Sequence, residues 1–147
     1  MSLSSAMGSD APQDVVTVQN AAAVFEGEPG DIGAARLFAT AFLHAHSSPA
    51  ALLGTAQLVV SELVTNAFKY APGPVLVEIG IQPGAVELTV WDSSTTIPHA
   101  GRKNPERIGG HGLEIVLALT ESLTAESHPV GKKITARLMN EAADGEK

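Results

Sequence analysis

The 147-residue chain contains no cysteine, one tryptophan and one tyrosine. Without thiols, disulfides and thiolate nucleophiles are excluded, and a cytoplasmic setting is expected. Aromatic residues make up only 4%, so valine, leucine, isoleucine and alanine have to build the core. Basic residues are scarce as well: 9 Lys and Arg stand against 16 Asp and Glu, a net charge of −7. A non-specific nucleic-acid binder carries a basic surface, so no direct nucleic-acid contact is expected. Small basic clusters remain at Arg102–Lys103, Arg107 and Lys132–Lys133, enough to serve a local anion. No apolar run approaches the length of a membrane span, and no basic-then-apolar signal opens the chain, so no membrane partner is expected.

What is present reads as globular. The chain is 44% hydrophobic and 17% charged, and its length suits one domain with a sizeable core. Residues 1–14, small and polar, are expected to be a disordered leader or expression scar. Residues 15–140 form the single domain, and 141–147 a frayed tail. "VVTVQNAAAVFEG" is rich in small and β-branched residues and predicts one strand or two short ones. Asp31 is a candidate N-cap for a helix through "IGAARLFATAFLHAH". Ser48 is a candidate cap for the next helix, with Pro49 at its first position, and that helix runs from Ala50 to Tyr70 before "APGP" stops it. Two strands joined by a tight "QPG" turn follow. Val75, Val77, Ile79 and Ile81 share one face of the first, while Val86, Leu88, Val90 and Asp92 share one face of the second. After a long stretch without periodicity, "GGHGLEIVLALTES" predicts a helix with Leu113, Val116, Leu117 and Thr120 on its apolar side. "LTAES" and "KKITARLM", joined by "HPVG", predict a closing hairpin. This order of elements predicts an α+β fold, a mixed, mostly antiparallel sheet covered by helices on one face.

Three features ask for one explanation. In "SELVTNAFKYA", Glu62, Asn66 and Lys69 fall within a helical arc of about 60°, at the border of the apolar stripe. A carboxylate or amide buried there costs free energy unless it finds a partner. Asp92 is the polar last member of an inward-pointing apolar set, a placement rare for an unpartnered carboxylate. Glycines run directly into the helix at Gly110 and Gly112, where bare amides and the helix dipole favour an anion. Any one of these is weak, but their order and spacing are much less common by chance.

On these residues the chain resembles the ATP-binding domain of the GHKL superfamily, a two-layer α/β sandwich (the Bergerat fold). It is most similar to the stand-alone anti-sigma serine/threonine kinases and related bacterial regulatory ATP-binding proteins. "SELVTNAFKYA" resembles the N box, "VWDSSTTIP" the first glycine box and "GGHGLEIV" the second, over roughly residues 31–138. The resemblance implies ATP and Mg²⁺ as cofactors. Asn66 would coordinate Mg²⁺ through its side-chain oxygen. Glu62 would be the catalytic residue, orienting or deprotonating the attacking hydroxyl. Lys69 would reach a phosphate and Tyr70 pack beside the nucleotide. Asp92 would accept from the adenine amino group, with Ser94 nearby in the same box. Gly110, His111, Gly112 and the Leu113 amide would make up the phosphate loop, with 93–109 as a lid and Arg107 a γ-phosphate contact.

The sequence departs from that pattern in two places. Ser94 stands where the first glycine box has glycine. Lys132 and Lys133 stand where the last strand of the family begins with a threonine near adenine, and Thr135 lies on the other parity. The resemblance implies transfer of the ATP γ-phosphoryl group to a Ser or Thr of an antagonist protein, binding of a sigma factor, and a possible homodimer. The alternatives are a non-catalytic ATP-binding regulator and the ATP-binding module of a split histidine kinase.

Overall fold

The structure, a computed structural model, describes residues 19–71, 73–93 and 110–140. The proposed leader, Val15–Val18, the 94–109 segment and the tail lie outside the described residues. Five strands and three helices follow in the order β1 (Gln19–Phe25), α1 (Asp31–Ala45), α2 (Ala50–Tyr70), β2 (Val75–Gln82), β3 (Ala85–Asp92), α3 (Gly110–Leu119), β4 (Ser122–His128) and β5 (Gly131–Met139). They make an α+β sandwich with one sheet in the order β1-β2-β3-β5-β4.

Every described strand pair is antiparallel, in line with the mostly antiparallel sheet expected and without the parallel pair that a mixed sheet would add. The reason is that successive elements reverse direction. Two helices between β1 and β2 return the chain antiparallel to where it left. The single helix between β3 and β4 makes those two strands parallel, but β5 pairs between them, so they never meet. Pro83 and Gly84 form the expected two-residue turn between β2 and β3, Gly84 with φ 74°.

The alternating pattern sets the sheet's two faces as read. Val75, Val77 and Ile79 on β2 and Val86, Leu88 and Val90 on β3 are buried, joined from β5 by Ile134, Ala136 and Leu138. Against this face lie the stripes of α1 (Ala35, Ala39, Leu43, spaced by four) and α2 (Leu52, Ala56, Val59, Val60, Leu63, Val64, Ala67). Alanine at two of the three buried α1 positions lets that helix approach closely. By length and composition α2 is apolar enough to cross a membrane, contrary to the reading of the sequence. In the fold, however, its apolar stripe packs on the sheet.

Helix ends differ in detail. Gly30, at φ 93°, precedes α1, and Asp31 is its first residue. The Asp31 carboxylate instead accepts from the amides of Gly27 (2.9 Å) and Glu28 (2.8 Å), closing the incoming turn. Helix α2 has the expected bounds, Ala50–Tyr70, but not the expected cap. Pro49 is its cap with extended ψ, Ser48 makes no side-chain cap, and the Pro49 carbonyl accepts from Leu52 and Leu53. In α3, Leu113 and Val116 are buried but Leu117 is 45% exposed. Its stripe is narrower than predicted because the sheet's β5–β4 edge offers little to cover.

Because each element reverses the last, one end of the sandwich gathers the C-terminal ends of α2 and β3 and the N-terminal ends of α3 and β5. The opposite end gathers the start of α2 and the finish of α3 and β5, where Leu52, Thr55, Leu119, Thr120, Leu138 and Asn140 line a cavity of about 500 Å³. The contact expected between Gly27 and the Phe68 ring, were a Cβ added, places the end of β1 at the first of these two ends.

Candidate functional site

The end that gathers α2, β3, α3 and β5 carries the polar residues singled out in the sequence. On α2, Glu62 is half-buried, Asn66 is 6% exposed, and Lys69 and Tyr70 are exposed. The three-residue arc is therefore graded, with Asn66 inward and Lys69 at the rim, its ammonium 5.6 Å from the Tyr70 ring centre. No hydrogen bond or ion pair to another described residue engages the Asn66 amide or the Glu62 carboxylate. Although the residue is mostly buried, its amide atoms are not among the enclosed groups left unpaired, so the amide keeps contact with solvent, as a group that takes its partner from outside must. Its oxygen is a hard donor of the kind Mg²⁺ accepts.

Gly110 is the first residue of α3, so the amides of 110–113 begin the helix without intrahelical acceptors, and the positive end of its dipole faces this same end of the sandwich. Leu113 is buried and serves the core with its side chain. The backbone of His111 and Gly112 is helical, and Ser94 and Arg107 lie outside the described residues.

Asp92 departs from expectation. It ends β3 on the inner face, as the alternation predicted, but its partner is another protein residue. The β3–β5 register sets Lys132 directly across from it. The Lys132 ammonium lies 3.3 Å from Asp92 Oδ2, with side-chain exposures of 3% and 2%. The inward carboxylate is thus neutralised by a lysine of the adjacent strand. The pair also corrects the reading of Lys132–Lys133 as one basic cluster, because strand alternation sends them to opposite faces. Lys133 lies on the outer face, 3.9 Å from Glu126 and 5.3 Å from the centre of the Trp91 ring.

Gly131 explains how the pair comes to be so close. A side chain at Gly131 would overlap the carbonyl oxygen of Asp92 and lie 3.1 Å from its carbonyl carbon. Glycine lets the two backbones touch here, and the next residue of β5 then projects beside the Asp92 carboxylate. The adjacent "GK" was legible in the sequence; its register against Asp92 was not.

Comparison with known proteins is decisive at this point. The profile of the histidine kinase-like ATPase domain matches residues 25–138. The chain belongs to that family. Among solved structures, this histidine kinase-like ATPase domain is similar to one in the crystal structure of the RsbU and RsbW domains of a Mycobacterium tuberculosis protein. The identity is 14% and the TM-score 0.63, with 82% of this chain and 32% of that chain covered. The family domain thus spans about a third of that protein, and the likeness speaks for the fold. A histidine kinase domain of the Erythrobacter litoralis blue-light activated kinase EL346 matches at 21% identity over 63% of this chain and 46% of its own, with a TM-score of 0.46. No curated protein matches by sequence.

Family membership implies ATP, and the residues divide in how they suit it. Asn66 and the start of α3 suit a metal-bound polyphosphate. At Asp92, which the resemblance would make the adenine acceptor, the carboxylate is instead held by Lys132 and both side chains are enclosed.

Proposed function

We propose that this domain is a bacterial cytoplasmic regulator of anti-sigma type, acting as a protein serine/threonine kinase on an antagonist protein and binding a sigma factor. The observation that carries this reading is the polar edge of α2, where Glu62 and Asn66 stand one turn apart with no described protein partner. Asn66 would hold Mg²⁺, and the amides that open α3, from Gly110 to Leu113, would cradle phosphate oxygens. ATP would supply the transferred phosphoryl group. Glu62 would orient the acceptor hydroxyl and take its proton as the serine or threonine oxygen bonds to the γ-phosphorus, the bond from that phosphorus to the β–γ bridging oxygen breaks, and ADP leaves. Lys69 at the rim would add a point charge for the phosphates, with Tyr70 beside it, and Arg107 in the 93–109 lid would contact the γ-phosphate.

The Asp92–Lys132 pair favours a second reading, a regulator in which the nucleotide only sets partner affinity and no group is transferred. One experiment separates the two. The chain is incubated with γ-labelled ATP and Mg²⁺, with and without antagonist proteins encoded beside it. Acid-stable label on an antagonist supports the kinase, and saturable ATP binding without transfer supports the second reading. Acid-labile label would point instead to a split histidine kinase.

A further inference from the structure

Lys132 lies at the point where the base of a nucleotide would meet Asp92, and four observations converge on it. The β3–β5 register makes it the direct neighbour of Asp92. Alternation turns it, and not Lys133, to the inner face. Gly131 holds the start of β5 against the Asp92 carbonyl, so the lysine backbone has no slack to withdraw. Finally, the two side chains are among the most enclosed charged groups described, and they face each other at 3.3 Å.

We infer that Lys132 is a built-in occupant of the base subsite, so that a nucleotide gains little from its base until this lysine is displaced. This rests on the reading of the site as one for Mg·ATP. The chemistry is competitive. An exocyclic amino group offers N–H to Asp92, which is what the lysine ammonium already does, with a full charge added. A base entering this corner has to break a charge-assisted contact and move an ammonium out of an enclosed space. The four-carbon lysine stem makes the move possible, and a partner protein that drew Lys132 outward would raise nucleotide affinity at the same stroke. The phosphate and metal end, built from Asn66 and the start of α3, is untouched by the pair. The domain therefore recognises a polyphosphate first and the base only conditionally.

The test is calorimetric titration of the whole chain with two probes, Mg·ATP and Mg·tripolyphosphate. In the parent chain the two dissociation constants are expected to lie within about fivefold of each other, since the base contributes little. In Lys132→Thr the constant for ATP is expected to fall about tenfold or more while that for tripolyphosphate stays put. A parent chain that binds ATP about a hundredfold more tightly than tripolyphosphate overturns the inference and leaves the ATP site standing. So does a Lys132→Thr chain that is folded by circular dichroism yet binds ATP more weakly than the parent. If Lys132→Thr fails to fold, the parent comparison decides alone, because an open base subsite would separate the two probes. If neither probe binds the folded parent, the inference falls together with the ATP reading.

Discussion

Replacing Lys132 by methionine keeps an apolar stem and removes the ammonium that faces Asp92. At 3.3 Å, with an effective dielectric near 20, the lost attraction is on the order of 5 kcal/mol before desolvation is counted. Most of that attraction only offsets the cost of enclosing the two ions, so the pair adds little net stability. Breaking it is another matter. The remaining carboxylate, 2% exposed, stays enclosed without its counter-charge, and Lys132→Met is expected to lose about 3–5 kcal/mol. Asp92→Asn strands the ammonium in the same way. The double variant strands neither, so it should lose no more than either single variant, and the cycle should return a coupling of about 3–5 kcal/mol or more. Urea unfolding at pH 7 measures this, read by the fluorescence of the single tryptophan, Trp91, on the outer face of β3. Single losses that simply add in the double variant, to within about 0.5 kcal/mol, would refute the reasoning.

Other outcomes follow from the same geometry. Glu62→Ala should abolish transfer to an antagonist while keeping most ATP binding, whereas Asn66→Ala should weaken Mg²⁺-dependent binding itself; paired transfer and calorimetric assays distinguish the two. Gly131→Ala should destabilise by about 3 kcal/mol or more, since the new methyl overlaps the Asp92 carbonyl backbone instead of a flexible side chain, and a thermal melt reads it. Val116→Ala should cost about 2–3 kcal/mol, and Leu117→Ala, on the exposed side of α3, about 0.5 kcal/mol or less by urea titration.

The strands and the long helix were legible because their periods are strict. Val75, Val77 and Ile79 alternate without a break, and Leu52, Ala56, Val59, Leu63 and Ala67 keep helical spacing, so burial followed the pattern residue by residue. Caps were less legible. Asp31 and Ser48 are both good capping types, but the glycine before one and the proline after the other already fixed the backbone, and the Asp31 carboxylate closes the incoming turn instead. Of the site, the inward placement of Asp92 was readable from phase alone, whereas phase set Asn66 only at the border of the stripe, where the structure buries it more deeply than Glu62. The partner of Asp92 was not readable, because it depends on the register between strands 40 residues apart in the chain. Only the odd "GKK" where a threonine was expected hinted at it. Leu117 was misplaced because an apolar residue at the stripe's edge is buried only if something lies opposite it.

Helix α2 holds up the hydrophobic interior with one side and presents Glu62 and Asn66 from the next. Inserting one residue near its middle would turn everything beyond by about 100°, carrying Asn66 away from its end of the sandwich and exposing leucine and valine together. Lineages of this domain should therefore diverge along α2 by exchange of side chains and hardly ever by change of length, while the connections at either end of the helix remain free to grow or shrink.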